Sequence, residues 1–163
     1  MRYATILLLS ILVAFSAQTA NAAGQDGDPG KRLLAEGTSW TNQRGSVASI
    51  TFTVSSQPGT YVLTGNYVNN AAGYQCQGTP YPLSGIYYAN TQTLSFSVAW
   101  SNNSQNCQSV TGWTGYFDLS QSPITMTTNW NLAYSTGSGG AIAQGKDVFS
   151  QTSVVVSDRL TSE

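Results

Sequence analysis

The feature that most constrains the fold is a series of short β-prone runs that begins at Trp40. These runs are rich in Thr, Val, Tyr, Phe and Trp, and clusters of Gly, Pro, Asn and Ser separate them roughly every 8–15 residues. No segment of this region has the periodicity of apolar residues that is typical of an amphipathic helix. The pattern is typical of an antiparallel sandwich or barrel.

Alternation of apolar and polar residues is clearest at 47–55, where Ile50 and Phe52 share one parity and Thr51 and Thr53 the other. The same pattern predicts strands at 38–43, 47–55, 60–69, 81–88, 93–100, 110–119, 123–132 and 145–151. Short connections favour pairing between neighbours. We therefore expect an all-β fold, an eight-stranded antiparallel up-and-down β-barrel with room for one small ligand. Because proline cannot donate to a central ladder, Pro82 is expected to start its strand.

Composition excludes several classes of function. Only 8% of the residues are charged and the net charge is -1, so the chain offers no basic surface for nucleic acid. Histidine is absent and only two cysteines occur, which removes histidine-dependent catalytic triads and the usual zinc sites. The carboxylates form no acid/base pair. We expect no enzyme, no metal and no cofactor.

The chain divides into four segments. Residues 1–23 have Arg2, an apolar run and small residues up to Ala22 and Ala23, as in a cleaved signal peptide, and the run is too short to span a membrane. A loosely ordered leader at 24–37, the barrel at 38–151 and a C-terminal tail at 152–163 follow. The mature protein is thus expected to be secreted or periplasmic, where Cys76 and Cys107 can pair.

Six short motifs stand in order along the patterned region. They are Trp40-Thr-Asn42-Gln-Arg-Gly45-Ser46, Gly65-Asn-Tyr67, Val98-Ala-Trp100-Ser-Asn102-Asn103, Thr111-Gly-Trp113-Thr-Gly115, Thr128-Asn-Trp130-Asn-Leu132 and Gly145-Lys-Asp147-Val-Phe149. In this order and near this spacing they resemble the avidin and streptavidin family, from about Gly37 to Phe149. The resemblance implies non-catalytic, high-affinity binding of biotin in the open end of the barrel.

The resemblance also assigns a role to each residue of the site. It implies that Asn42, Ser46 and Tyr67 donate to the ureido oxygen of biotin and that Asp147 and Asn69 accept from its two N–H groups. It also implies that Thr111 faces the thioether sulfur and that the apolar walls are Trp100, Trp113, Trp130 and Leu132. The valerate carboxylate is then held by Ser109 and by the backbone of Ala71, Ala72 and Gly73. A cyclic urea has one strong acceptor and two donors, so hydrogen bonds around it strengthen one another.

Strand parity supports a common interior independently of the family. Ser46 shares its parity with Ile50 and Phe52, and Trp100 shares its parity with Phe96 and Val98. The same holds for Tyr67 and Asn69 and for Trp130 within their own runs. Asn42 lies across a turn, so parity leaves its direction open.

The stretch ahead of the last predicted strand departs from the tetrameric avidins. In those proteins a neighbouring subunit supplies a tryptophan there, whereas residues 135–145 of this chain contain no aromatic. The resemblance is closer to the dimeric avidins, which share Tyr81-Pro82-Leu83, the Asn102-Asn103-Ser104 stretch and two loop cysteines. It implies a homodimer, with a higher assembly left open, and a Cys76–Cys107 bridge that orders the loops over the ligand.

Other interpretations of the same residues remain. Tryptophans in an all-β domain are more often core than ligand cage, and Trp40 is assigned to the core. A bridge in a secreted domain is by default a structural staple. The alternative function is a secreted carbohydrate-binding, lectin-like β-barrel, in which Trp, Tyr and Asn contact sugars; an adhesion or structural subunit without a small ligand is a second alternative.

Overall fold

The computed structural model describes Gly30, Leu33, Leu34 and residues 38–152. The described chain forms a closed barrel of eight antiparallel strands, each paired with its neighbours in sequence. The strands are β1 (Thr38–Asn42), β2 (Val47–Val54), β3 (Thr60–Val68), β4 (Pro80–Tyr88), β5 (Thr93–Ser101), β6 (Asn106–Asp118), β7 (Thr125–Thr136) and β8 (Gly139–Thr152). The predicted fold class is confirmed. The predicted signal peptide, most of the leader and residues 153–163 lie outside the described residues.

Pairing between β1 and β8 closes the barrel. This seam is short and runs from Ser39 opposite Thr152 to Asn42 opposite Phe149. Closure gives every strand two neighbours, so side chains of one parity meet in a common interior and those of the other parity face outward. In β5, for example, Leu94, Phe96, Val98 and Trp100 are all buried.

The loops divide between the two ends of the barrel. The β1–β2, β3–β4, β5–β6 and β7–β8 connections lie at one end, and the three remaining connections lie at the other. At the second end an aromatic cluster fills the interior, in which Trp40 packs on Phe117 with ring centroids 4.9 Å apart. Leu33, from the segment predicted as a loose leader, is fully buried in this core. The barrel therefore has a packed end and an end that carries the long β3–β4 loop.

Three strand boundaries differ from the prediction by four residues or more: the start of β6, the end of β7 and the start of β8. The predicted strand at 110–119 begins four residues earlier, at Asn106. The stretch at 135–145, interpreted as a loop, is mostly strand, because β7 and β8 form a hairpin in which Thr136 pairs with Gly139. That interpretation is wrong because glycines and small polar residues show no alternation of apolar and polar side chains, which is the signal for a strand. Their backbone groups can still pair with a neighbouring strand, since this pairing does not depend on the side chains.

Pro82 was predicted to start its strand. It lies instead inside β4, which begins at Pro80. It is paired with Asn66 of β3, whereas the ladder with β5 begins one residue later, at Leu83 opposite Val98. Because β4 is not yet paired with β5 at Pro82, this residue lies at a local edge of the sheet on that side. A residue without an N–H is tolerated at such an edge.

Gly115 of β6 lets two strands approach closely. A Cβ at this position would overlap the carbonyl oxygen of Thr127 and lie 2.7 Å from the Cα of Thr128. Gly112 on the same strand has no atom within 4 Å of the equivalent point. The two glycines thus make a matched pair.

Gly115→Ala is expected to lower the free energy of unfolding by about 1–3 kcal/mol, because the added methyl group overpacks the β6–β7 contact. Gly112→Ala should leave it unchanged or raise it by up to about 1 kcal/mol, since alanine loses less backbone entropy. Denaturant unfolding followed by tryptophan fluorescence measures both. Equal midpoints for Gly115→Ala and the wild type would contradict the close approach.

Candidate functional site

A cavity of about 440 Å³ opens at the end of the barrel that carries the long β3–β4 loop. Its size lies within the range of about 300–1,000 Å³ usual for small-molecule sites. Of the residues that the sequence assigned to the ligand, all but Ala72 line it: Asn42, Ser46, Tyr67, Asn69, Ala71, Gly73, Trp100, Ser109, Thr111, Trp113, Trp130, Leu132 and Asp147. The structure thus brings this set together around one volume.

The β1–β2 turn presents Asn42 and Ser46 to the cavity. The Asn42 side-chain oxygen accepts the backbone N–H of Arg44 at 3.0 Å and of Ser46 at 2.9 Å, and Gly45 takes a positive φ of 79°. These bonds fix the turn and leave the Asn42 amide nitrogen directed at the Tyr67 hydroxyl, 3.5 Å away. Asn42, whose direction the sequence left open, is buried.

Tyr67 of β3 stands between the turn and the aromatic wall. Its ring lies 4.9 Å from that of Trp113 and 5.7 Å from that of Trp100. Burial, and after it the negative charge of Asp147, raise the pKa of the Tyr67 phenol well above its usual range. The hydroxyl therefore keeps its proton at neutral pH and remains available as a donor.

Asn69 ties the loop after β3 to the barrel. Its side-chain oxygen accepts the Ala71 N–H at 3.0 Å and the Ser46 hydroxyl at 3.4 Å, and its side-chain nitrogen donates to the Gln75 carbonyl at 3.2 Å. Its own carbonyl accepts the Gly78 N–H at 2.9 Å. One buried residue thus joins both ends of the loop through its side chain and its backbone carbonyl, and its side chain also contacts Ser46 at the end of the β1–β2 turn.

Asp147 of β8 places a carboxylate in the cavity wall, with only 4% of the residue exposed. The indole N–H of Trp113 donates to its Oδ2 at 3.0 Å, and the Gln43 side-chain amide donates to its Oδ1 at 3.3 Å. Each carboxylate oxygen can accept more than one hydrogen bond. Both oxygens are therefore oriented while retaining capacity for a further donor.

Aromatic rings form the floor and one wall of the cavity. Trp113 stacks on Phe96 at 4.9 Å and 13°, and Trp100 packs edge-on against Tyr81 at 5.2 Å. The Trp100 indole N–H donates to the Thr111 hydroxyl at 2.7 Å, so the Thr111 hydroxyl hydrogen remains free to turn toward the cavity. These contacts fix the rings without a ligand.

Trp130 of β7 forms the opposite wall, against the backbone of Gly145. A Cβ at Gly145 would lie 2.5 Å from the Trp130 ring, so the glycine provides the space for the indole. Tyr74, in the loop after β3, meets Trp130 edge-on with ring centroids 6.5 Å apart. With 39% of its surface exposed, Tyr74 covers part of the cavity mouth.

A disulfide joins Cys76 of the β3–β4 loop to Cys107 at the start of β6. Cys76 is buried, and the Gln77 side-chain amide donates to the Ala71 carbonyl within the same loop. The bridge ties two connections that border the cavity, as expected for the predicted pair.

Several lining residues were not predicted from the sequence. They are Arg44, Tyr74, Gln75, Tyr134, Ser135 and Ala143, together with Cys107, which was predicted only as half of the disulfide. Tyr134 and Ala143 continue the inward parity of Trp130 and Asp147, so extending the two strands by a few residues would have found them. Tyr74 and Arg44 lie in connections, where parity gives no direction.

The described part of the chain contains no cluster of three or more His, Cys, Asp or Glu residues that could hold a metal ion. In the same residues no helix is long and apolar enough to cross a membrane. The chemistry that the cavity offers is hydrogen bonding, by neutral donors, the Arg44 guanidinium and one carboxylate, between aromatic walls.

Comparison with known proteins gives a consistent result. The model of the Avidin family matches residues 32–152. The chain is 54% identical to hoefavidin of Hoeflea phototrophica over 158 residues, which cover 96% of this chain and 96% of that protein.

Two solved structures are similar in sequence and in fold. The short afifavidin–biotin complex superposes with a TM-score of 0.65 and 40% identity, covering 77% of this chain and 100% of that chain. The rhizavidin–biotin complex gives a TM-score of 0.62 and 43% identity, covering 74% of this chain and 94% of that chain. Both similar proteins hold biotin in those structures.

Proposed function

Because this chain belongs to the avidin family, we propose that it binds biotin without catalysis in the cavity at the open end of its barrel. One observation carries the proposal: buried donors, an oriented carboxylate and aromatic walls converge on a single cavity. Biotin is the ligand here and not a cofactor. The rest of the proposal concerns which side chain meets which part of biotin.

The ureido oxygen is assigned to Asn42, Ser46 and Tyr67. The Asn42 amide and the Tyr67 hydroxyl lie 3.5 Å apart, so one acceptor atom can receive both. The Ser46 hydroxyl donates at 3.4 Å to Asn69, a long bond that a strong urea acceptor would replace. Donors fixed before binding lose little conformational entropy when the ligand arrives.

The two ureido N–H groups are assigned to Asp147 and Asn69. Asp147 has both oxygens oriented by Trp113 and Gln43. When Ser46 turns to the ureido oxygen, the Asn69 side-chain oxygen regains an acceptor position. The negative charge opposite an N–H draws the urea toward a more polarised form, and each hydrogen bond then strengthens the others.

The rest of the ligand is assigned to the walls and the mouth. Thr111 faces the sulfur, while Trp100, Trp113, Trp130 and Leu132 enclose the apolar part. Ser109 and the loop backbone are assigned to the carboxylate. Since the Ala71 N–H is already donated to Asn69, the amides of Ala72 and Gly73 are the better backbone donors.

Asp147→Asn is expected to speed biotin release by about 10- to 100-fold, because a charged acceptor at the ureido N–H is replaced by a neutral amide. A chase of bound labelled biotin with excess biotin measures release, and thermal melting checks the fold. Asp118→Asn is the matched control, since Asp118 lies in the turn at the other end of the barrel.

The binding itself is tested by tryptophan fluorescence at stoichiometric biotin. An unchanged wild-type signal would contradict biotin binding, and a response to sugars instead would favour the lectin-like alternative. Equal rates of biotin release from Asp147→Asn and the wild type would show that Asp147 does not bind biotin.

We also assign the cover of the site to this same chain. Tyr74 reaches Trp130 across the mouth, and the Cys76–Cys107 bridge and Asn69 hold its loop. A loop ordered in advance closes over a ligand at low entropic cost. The bridge would thus replace the tryptophan that a neighbouring subunit supplies in tetrameric avidins.

The double substitution Cys76→Ser with Cys107→Ser is expected to speed biotin release about 10-fold at temperatures where the protein remains folded. It should also lower stability by roughly 3–4 kcal/mol, since the bridge closes a loop of about 31 residues. Release and melting are measured on the same sample, and mild reduction of the wild type provides a second route to the open loop. A lower melting temperature with an unchanged rate of biotin release would show that the bridge only stabilises the fold and does not order the loop over the ligand.

The bridge also supports the proposed localisation. Disulfides persist in oxidising compartments, which agrees with a cleaved signal peptide at residues 1–23 and a secreted or periplasmic protein. No nucleic acid or membrane partner is proposed.

We propose a homodimer through the outward face of β5–β8. One row of apolar side chains crosses these four strands in register, and it consists of Ala99, Val110, Ala133 and Ile142. Ile142 is 73% exposed and Val110 49%, and Tyr116 and Val148 extend the exposed apolar surface on the same face. A flat apolar row of this kind is suited to a self-complementary interface.

Ile142→Asp is expected to raise the dissociation constant of the dimer at least about 100-fold, because an interface would bury an unpaired charge. Size-exclusion chromatography with light scattering measures the mass. Val54→Asp, at an exposed position on β2, is the control and should leave the mass unchanged. A monomeric wild type, or a dimer that tolerates Ile142→Asp, would contradict this face.

A further inference from the structure

Gln43, an exposed residue in the β1–β2 turn, reaches across to β8 with its side chain. Its amide nitrogen donates to the Lys146 carbonyl at 3.1 Å and to the Asp147 Oδ1 at 3.3 Å, and its amide oxygen accepts the Val148 N–H at 2.9 Å. Gln43 does not line the cavity, although Asn42, Arg44 and Ser46 around it do. It therefore contacts the cavity carboxylate from outside the barrel.

The position of Gln43 follows from the way the seam ends. Backbone pairing between β1 and β8 stops at Asn42 opposite Phe149, because the chain turns away toward β2 through Gly45. A primary amide has the donor and acceptor of a peptide group. The Gln43 side chain thus supplies the backbone groups of Lys146 and Val148 with the partners that β1 no longer offers.

We propose that Gln43 is a positioning residue for Asp147, which sets the carboxylate for ligand binding and closes the β1–β8 seam to water. With Trp113 on Oδ2 and Gln43 on Oδ1, the carboxylate is held from two sides and cannot rotate without breaking a hydrogen bond. The inference rests on the proposed function for the nature of the ligand. The hydrogen bonds themselves are contacts between residues of the protein.

The first test uses the unliganded protein and needs no biotin. The indole N–H of Trp113 is bonded to Asp147, so its NMR resonance and its hydrogen exchange report the position of the carboxylate. Gln43→Ala is expected to shift this resonance and speed its exchange. Gln121→Ala is the matched control, because Gln121 also donates to an aspartate, Asp118, at the other end of the barrel. An unchanged Trp113 resonance in Gln43→Ala would overturn the proposal.

The second test is a double-mutant cycle on biotin release. Gln43→Ala is expected to speed release about 5- to 30-fold, as for loss of a hydrogen bond to a charged group. In an Asp147→Asn background the same substitution should add less than about twofold, because Gln43 acts through the carboxylate. Equal acceleration in both backgrounds would make Gln43 a merely structural residue and overturn the proposal.

The variant Gln43→Glu distinguishes the role of Gln43 at the β1–β8 seam from its role at the Asp147 carboxylate. It retains an acceptor for the Val148 N–H but replaces the donors with a second negative charge beside Asp147. Release faster than in Gln43→Ala is expected; release as slow as in the wild type would show that the seam alone matters and overturn the positioning role. If the wild type fails to bind biotin, the proposed function falls, while the Trp113 resonance still decides whether Gln43 positions Asp147.

Discussion

Pairing of the first and last strands is the constraint on which the rest of this structure depends. The β1–β8 seam is short, yet it converts a twisted sheet with two edges into a closed surface with one interior. Closure brings Asn42 of β1 and Asp147 of β8 to the same cavity, although more than a hundred residues separate them in the chain. Gln43 continues the seam by one further contact at the end where the cavity opens.

The interior is divided between packing and binding. At one end Trp40, Phe52 and Phe117 fill the space with ring against ring. At the other end the strands present polar side chains inward among tryptophans, and the cavity between them remains. Buried polar groups without partners destabilise a protein, so such a site persists only if its members bond to one another. The packed end supplies stability that the open end does not.

The polar groups of the site meet this requirement by bonding to other groups of the protein. Asn42 holds the β1–β2 turn, Asn69 holds the loop after β3, and Trp113 and Gln43 hold Asp147. The bonds of Asn42 and Asn69 join a side chain to the backbone of a turn or loop, whereas those to Asp147 join two side chains. The result is a rigid set of donors and acceptors, which is the arrangement that gives a small polar ligand high affinity.

The sequence by itself determined the fold class and the family, because both depend on local pattern. Alternation assigned Ser46, Tyr67 and Trp100 to one interior, and six ordered motifs indicated the family and predicted which residues would line the site. The tertiary structure alone decided what depends on contacts between distant segments. The hairpin at 135–145 forms because a neighbouring strand supplies its hydrogen bonds, and Leu33 is buried in the core although its segment has no strand pattern. Tyr74 and Gln43 reach their partners from connections, whose geometry no periodicity encodes. Side-chain period fixes which face a strand residue takes, whereas a residue in a turn takes its direction only from the neighbours that closure brings to it.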